Sequence, residues 1–135
     1  MKPCLVDTNL IIRFLTGEPE KQAARAKELF AANNAGELAL KVVPLVVAEV
    51  VFVLSGKVYG YERGEVASAL ISFLQSPSLT VEKRDGMLLA LNLYRDHSID
   101  FVDACLAAEA LLAGLSVASF DADFMKVPKL TRKRP

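Results

Sequence analysis

Four acidic residues in this sequence have the type and placement to hold a divalent cation. They come from separated segments, each next to an apolar stretch, and they are Asp7, Glu49, Asp103 and Asp121. Carboxylates that meet in one place repel each other, which raises their pKa values unless a cation joins them. Oxygen ligands without His or Cys favour Mg²⁺ or Mn²⁺ over zinc. Such an ion can activate a water molecule and stabilise the leaving oxygen of a phosphodiester.

Each acid also has an ordinary structural interpretation. Asp7 and Asp103 stand where side chains commonly cap helices, and Asp121 could be a turn residue. Glu49 has the weakest alternative, because it lies within an apolar helical segment that we expect to be buried on most faces. An unpaired carboxylate there would be costly. The metal hypothesis therefore depends on the four acids meeting at one place.

Short apolar runs alternate with longer segments of helical periodicity along the chain. The apolar runs predict strands at residues 4–6, 38–43, 79–81, 115–119 and 129–131. The periodic segments predict helices at residues 10–15, 19–34, 44–54, 61–74, 85–96 and 100–114. This alternation predicts an α/β protein with a mostly parallel sheet, in which ligands bind beyond the carboxyl ends of the strands. Asp7 and Asp121 follow predicted strands and so lie where that rule places ligands.

The length of 135 residues predicts a single domain, and 53% hydrophobic residues exclude a disordered chain. No apolar run reaches the ~20 residues that cross a bilayer, and the first residues lack the apolar core of a secretory signal. Cys4 and Cys105 lie in apolar surroundings and are interpreted as buried thiols. We therefore expect a cytoplasmic protein with no membrane contact.

Four blocks of sequence together resemble the PIN domain family, and most closely its prokaryotic VapC-type toxins. The blocks are Leu5-Val6-Asp7-Thr8-Asn9, the helical Glu49, Asp100-Phe101-Val102-Asp103-Ala104, and Ala118-Ser119-Phe120-Asp121-Ala122-Asp123-Phe124. Their order and spacing match over nearly the whole chain, so residues 1–135 are interpreted as one such domain. The resemblance implies a three-layer sandwich, with a mostly parallel five-stranded sheet and helices on both faces.

The same resemblance implies a metal-dependent ribonuclease that uses Mg²⁺ or Mn²⁺. Asp7, Glu49 and Asp103 match the three principal family acids, and Asp121 matches the fourth, more variable acid. Positions that support the site in the family are matched by Thr8, Asn9, Ser119 and Asp123, the last also being an alternative to Asp121. The resemblance further implies a homodimer and a small antitoxin protein that covers the acidic groove.

Three other functions compete with the toxin ribonuclease. A nuclease of this fold could process RNA outside a toxin–antitoxin pair, and an inactive member could serve as a binding module. No principal acid is missing, which counts against the inactive module. A magnesium-dependent phosphatase would favour a second Asp two residues after Asp7, and Asn9 occupies that position.

An acidic pocket needs basic groups nearby to bind the phosphates of RNA. Arg13 on the first predicted helix is one candidate, although a plain surface arginine is its alternative interpretation. The basic C-terminal tail, residues 126–135, is another, because it carries five of the 16 basic residues and no acid. The remaining chain has 11 basic against 16 acidic residues, so an acidic body carries a basic tail.

Overall fold

A computed structural model describes residues 1–135, which form six α-helices, one 3₁₀ helix and five short strands. The strands are β1 (Cys4–Leu5), β2 (Leu40–Val42), β3 (Thr80–Val81), β4 (Val117–Ala118) and β5 (Arg132–Lys133). The helices are α1 (Thr8–Thr16), α2 (Glu20–Asn34), α3 (Pro44–Ser55), α4 (Arg63–Leu74), α5 (Arg84–Asp96) and α6 (Phe101–Ala113), and the 3₁₀ helix spans Ala122–Lys126. The predicted alternation of strands and helices is confirmed.

All five strands pair in parallel, but they form two sheets instead of one. A three-stranded sheet has the order β1-β2-β3, with Leu5 opposite Lys41 and Val42 opposite Val81. The separate pair β4-β5 sets Ala118 opposite Lys133. The α/β class is therefore confirmed, and the single five-stranded sheet is wrong. Strands of two or three residues leave few backbone groups for a ladder on a second edge, so no ladder joins the sheets.

The basic tail is part of the fold and not a free, solvated end. β5 lies at Arg132–Lys133, slightly beyond the predicted strand at residues 129–131. The carbonyl of Thr131 accepts a hydrogen bond from the Val117 amide at 2.9 Å. Val127 is buried and Leu130 packs against the core. Hydrogen bonds and apolar burial thus hold this segment, residues 126–135, against the rest of the protein.

α5 begins at Arg84, one residue before the predicted bound, and no side chain caps it. Lys83 precedes the helix in a left-handed conformation, with φ of 55°, and provides no side-chain cap. Asp85 lies in the first turn, where a negative charge interacts favourably with the helix dipole. α6, in contrast, is capped by the side chain of Asp100, which precedes it.

Small residues bring α6 close to its neighbours. Ala104, Ala107 and Ala108 of α6 are fully buried, and they allow the backbones of α5 and α6 to approach each other. This packing fixes the first turn of α6, which carries Asp103.

Arg63 at the start of α4 holds the connection between α5 and α6. Its Nη1 donates to the carbonyls of Tyr94 at 2.8 Å and Ile99 at 2.5 Å. Its guanidinium also lies 4.1 Å from the centre of the Tyr94 ring, in the geometry of a cation–π contact. The connection that leads into Asp100 is therefore anchored to a third helix.

Two expectations about burial are wrong. α3 is covered on most faces, but Glu49 lies on its exposed side with Leu45 and Phe52, so the expectation that Glu49 is buried is wrong. Of the two cysteines, Cys4 is exposed and Cys105 is half-buried. An apolar neighbourhood in sequence did not decide either case, because burial depends on which elements pack on each face. None of the helices combines the length and the hydropathy needed to traverse a bilayer.

Candidate active site around the carboxyl ends of β1 and β4

Asp7 follows β1 and caps α1. Its Oδ1 accepts a hydrogen bond from the Leu10 amide at 2.9 Å, so the capping interpretation is correct. The carboxylate is exposed, and its second oxygen makes no hydrogen bond within the protein. A cap of this kind uses one oxygen and orients the other, so Asp7 can also bind a cation.

Asp103 lies in the first turn of α6, but it is not the residue that caps this helix. Asp100 fills that role, since its Oδ1 accepts from the Asp103 amide at 2.9 Å. The carboxylate of Asp103 makes no hydrogen bond in return and is half-buried. The capping interpretation therefore accounts for Asp100 and leaves the Asp103 carboxylate free.

Two successive hydrogen bonds between near neighbours fix the conformation of the segment after β4. The Ser119 Oγ accepts from the Asp121 amide at 2.9 Å, and the Asp121 Oδ1 accepts from the Asp123 amide at 2.8 Å. Asp121 thereby caps the 3₁₀ helix. Asp123 is ion-paired with Lys126 at 3.0 Å, whereas Asp121 has no cationic partner. Asp121 is thus held in place with its charge uncompensated.

Electrostatics connects α6 with the segment after β4. The pKa of Asp103 is raised, first by burial and then by the negative charges of Asp100, Asp121 and Asp123. The Cys105 thiol, two residues further along α6, has a pKa raised to about 11 by burial, with smaller effects from Asp100 and Glu109. Asp103 and Asp121, predicted as ligands from distant parts of the sequence, therefore share one negative field.

Glu49 is placed differently from the other acids. It is exposed on α3 between Leu45 and Phe52, and it makes no hydrogen bond or ion pair. The expected cost of burying an unpaired carboxylate therefore does not apply to it. Its candidacy depends on the match to the family motif alone.

The polar residues after Asp7 also differ in their surroundings. Thr8 is buried as the first residue of α1, and Asn9 is exposed beside Asp7. Asn9 lines the same groove as Asp7, whereas Thr8 faces the protein interior. Of these two residues, Asn9 is the one with access to a bound molecule.

The donor set fits a hard divalent cation in its chemistry. The candidates are carboxylates without His or Cys, and a cation would offset the repulsion that raises the pKa of Asp103. No three His, Cys, Asp or Glu side chains, however, are close enough to form a ready metal-binding group. Asp7, Glu49, Asp103 and Asp121 therefore stay predicted ligands, which this structure does not bring together into one group.

Beside Asp7 runs a groove of about 420 Å³ between α1 and α2. Its other lining residues include Arg13 of α1 and Gln22 and Arg25 of α2. Sequence reasoning selected Arg13 and missed Gln22 and Arg25. No local motif marks these two residues, because only the antiparallel packing of α1 on α2 brings them beside Asp7.

Comparison with models of protein families gives a match over nearly the whole chain. A family model described as PIN domain matches residues 4–130. Among curated proteins, none matches the sequence. The matched range includes every candidate acid, the groove beside Asp7 and most of the segment that leads into β5.

Proposed function

This chain belongs to the PIN domain family, whose members are generally metal-dependent nucleases, and from that premise we propose that it is an endoribonuclease. The proposed reaction is hydrolysis of RNA phosphodiester bonds with Mg²⁺ or Mn²⁺, in the cytoplasm, where RNA is made and used. We further propose that the protein is a VapC-type toxin of a toxin–antitoxin pair.

The observation that carries the proposal is the raised pKa of Asp103, caused by burial and by the charges of Asp100, Asp121 and Asp123. Structural carboxylates are normally paired with cations or dispersed over the surface. Here, Asp103 and Asp121 share a negative field and neither forms an ion pair, so a bound divalent cation would offset their charges.

The roles of the residues follow from their positions. Asp7 and Asp103 would hold the main ion, Asp121 would complete the site, and Glu49 would orient the attacking water. When bound, the ion supplies Lewis-acid stabilisation of the developing charge and lowers the pKa of a bound water. Asp7 keeps its free oxygen directed by the α1 cap, and Ser119 keeps Asp121 fixed through its backbone. Attack on phosphorus leaves a 5′-phosphate and a 3′-hydroxyl.

Metal titration of RNA cleavage tests the nuclease proposal. We expect purified protein to cleave single-stranded RNA with Mg²⁺ or Mn²⁺ and not with a chelator. Asp103→Asn should abolish cleavage, while Asp85→Asn, an exposed acid at the start of α5, should not. Equal cleavage by the wild type and Asp103→Asn would show that the catalytic assignment is wrong and would favour an inactive binding module.

Growth and genome context test the toxin proposal. Induced expression in a bacterial host should arrest growth, and Asp103→Asn should relieve the arrest. A short upstream reading frame that encodes a DNA-binding N-terminus would supply the antitoxin. An active nuclease without growth arrest and without such a neighbour would instead be an RNA-processing enzyme.

An exposed apolar surface supports the proposed homodimer. We call it the α3–α6 face, and its members are Leu45 and Phe52 of α3 with Val102 and Leu106 of α6. Phe52 and Val102 line a shared groove of about 440 Å³, and they are 79% and 63% exposed. Contiguous exposed apolar side chains of this kind mark interaction surfaces. Most apolar residues of α4, in contrast, are buried in the core.

A further inference from the structure

We propose that the groove between α1 and α2 is a subsite for a backbone phosphate of single-stranded RNA, bound by Arg13 and Arg25. The inference deepens the proposed ribonuclease function and rests on it. In this subsite Arg25 binds the phosphate directly, and Gln22 and Tyr59 orient Arg13 for the same purpose.

The charges of the two arginines are uncompensated. Neither Arg13 nor Arg25 forms an ion pair, and Asp7 is the only acid among the residues that line the groove. Arginine on a protein surface often pairs with a nearby carboxylate, which would offset its charge. Two unpaired guanidinium groups facing one groove form a local positive potential that attracts an anion.

Neutral partners orient Arg13 without neutralising it. Its Nε donates to the Gln22 Oε1 at 3.0 Å, and its Nη1 donates to the Tyr59 hydroxyl at 3.1 Å. Its Nη2 makes no hydrogen bond within the protein. Two bonds from different elements fix the plane of the guanidinium, and the remaining N–H groups are available to phosphate oxygens. A preorganised arginine loses less entropy on binding than a free one.

The position of the groove connects it to the candidate active site. Asp7 and Arg13 are six residues apart, which corresponds to ~9 Å along a helix axis. Asp7, Asn9, Arg13 and Arg25 all line this one groove. A strand whose scissile phosphate lies at Asp7 would therefore pass a nearby phosphate over the two arginines.

Binding to RNA without metal tests the subsite separately from catalysis. A fluorescent single-stranded RNA of mixed sequence would be titrated, in the presence of a chelator, with the wild type and single variants. We expect Arg13→Gln and Arg25→Gln each to weaken binding about tenfold. The slope of log Kd against log salt should fall by about 0.7 for each lost phosphate contact. Lys27→Gln is the matched control, because Lys27 lies on α2, is exposed, makes no ion pair and does not line the groove.

The effect of Arg25→Gln on binding is easier to interpret than that of Arg13→Gln. Its side chain is exposed and makes no hydrogen bond, so Arg25→Gln should leave the melting temperature unchanged. Arg25→Lys should recover part of the affinity through its charge, but not the paired hydrogen bonds of a guanidinium. With metal present, Arg25→Gln should raise KM more than it lowers kcat, as expected for a binding group.

The possible results separate the subsite from the nuclease proposal. If the arginine variants bind RNA as Lys27→Gln does, the subsite is wrong, whether or not the protein cleaves RNA. If they bind RNA normally but lose binding to an acidic peptide, the groove recognises protein and the subsite is again wrong. If the arginine variants lose RNA binding while the wild type cleaves no RNA with any metal, the subsite stands and the nuclease proposal fails.

Discussion

At the scale of single residues, capping and catalysis are compatible roles for one carboxylate. Asp7 caps α1 through one oxygen, and Asp121 caps the 3₁₀ helix in the same manner. The cap fixes the side-chain torsion and leaves the second oxygen for a ligand. For Asp103 the two roles are divided, since Asp100 provides the cap and Asp103 keeps a free carboxylate.

Two substitutions at Asp7 separate these roles. Asp7→Asn should retain stability because Asn is as good a cap as Asp, whereas Asp7→Ala should lose about 1 kcal/mol. Both should lower metal-dependent cleavage by roughly 10³-fold, since a ligand charge is lost. Urea unfolding and cleavage rates measure the two effects. Full activity in either variant would show that Asp7 serves the fold alone.

Asn33 has a structural role that cannot be deduced from the amino-acid composition. It is buried, and its Oδ1 accepts from the Leu40 amide at 2.9 Å, which ties the end of α2 to β2. Asn33→Ala should lower the free energy of unfolding by about 1–3 kcal/mol because a buried amide loses its acceptor. Denaturant unfolding would measure the loss, with Asn34→Ala, an exposed neighbour, as control. Equal stability of the two variants would contradict the assignment.

At the scale of elements, the site depends on how α6 and the segment after β4 are held. Buried alanines set the distance between α5 and α6, and Arg63 of α4 fixes the connection that precedes Asp100. The very short strands contribute little ladder energy by comparison. The helices therefore position most of the acidic side chains, and the strands mark only where the chain turns toward the site.

Removal of the Arg63 guanidinium should loosen that connection. Arg63→Gln loses two charge-assisted hydrogen bonds to carbonyls and the contact with the Tyr94 ring, which should cost about 2–3 kcal/mol. Thermal and urea unfolding would measure the loss. Arg95→Gln is the control, because Arg95 bonds only to the exposed side chains of Asp96 and Asn92 and to no backbone carbonyl, and exposed pairs of this kind contribute little to stability. If both variants unfold alike, the contacts of Arg63 do not stabilise the fold.

At the scale of the whole molecule, charge and apolar surface are distributed unevenly. Uncompensated carboxylates collect near the first turn of α6, and two unpaired arginines lie in the groove between α1 and α2. On the α3–α6 face, the exposed Leu45 and Phe52 lie on either side of Glu49 along α3. If this face joins two copies of the chain, Glu49 comes close to the interface, and association affects the site.

A charge on the α3–α6 face should prevent association. Phe52→Glu is expected to convert a dimer into a monomer, because pairing would bury two new carboxylates. Sedimentation velocity or light scattering at several concentrations would measure the mass. Val58→Glu provides the control, since Val58 is 90% exposed in the connection after α3 and outside this face. A wild type that is monomeric at high concentration would contradict the homodimer.

Metal removal should affect activity far more than stability. Asp7 and Asp121 are exposed, and the core of 30 residues contains none of the candidate ligands. A chelator is therefore expected to abolish cleavage while lowering the melting temperature by only a few degrees, as expected for a weakly bound ligand. Differential scanning fluorimetry with and without Mg²⁺ would measure the shift. Global unfolding in the chelator would mean that the metal has a structural role.

The helices, their ends and the candidate acids could be predicted from the sequence, because each depends on residues that are neighbours along the chain. Apolar periodicity located the helices, and the residues that cap and end them, such as Asp100 and Gly114, set bounds that the structure confirms for α6. The family motif identified the acids because its blocks are contiguous in sequence. These features depend on neighbours along the chain, so they can be deduced without knowing the packing.

Contacts between distant segments determine the features that could not be predicted from the sequence. Glu49 lies in an apolar segment, yet it is exposed because no element covers that side of α3. The division into two sheets and the placement of β5 depend on backbone pairing across the chain. Arg13, Gln22 and Arg25 share a groove only because α2 folds back on α1. Each outcome is set by which surfaces meet, and the free energy of such contacts belongs to the folded chain and not to any one segment.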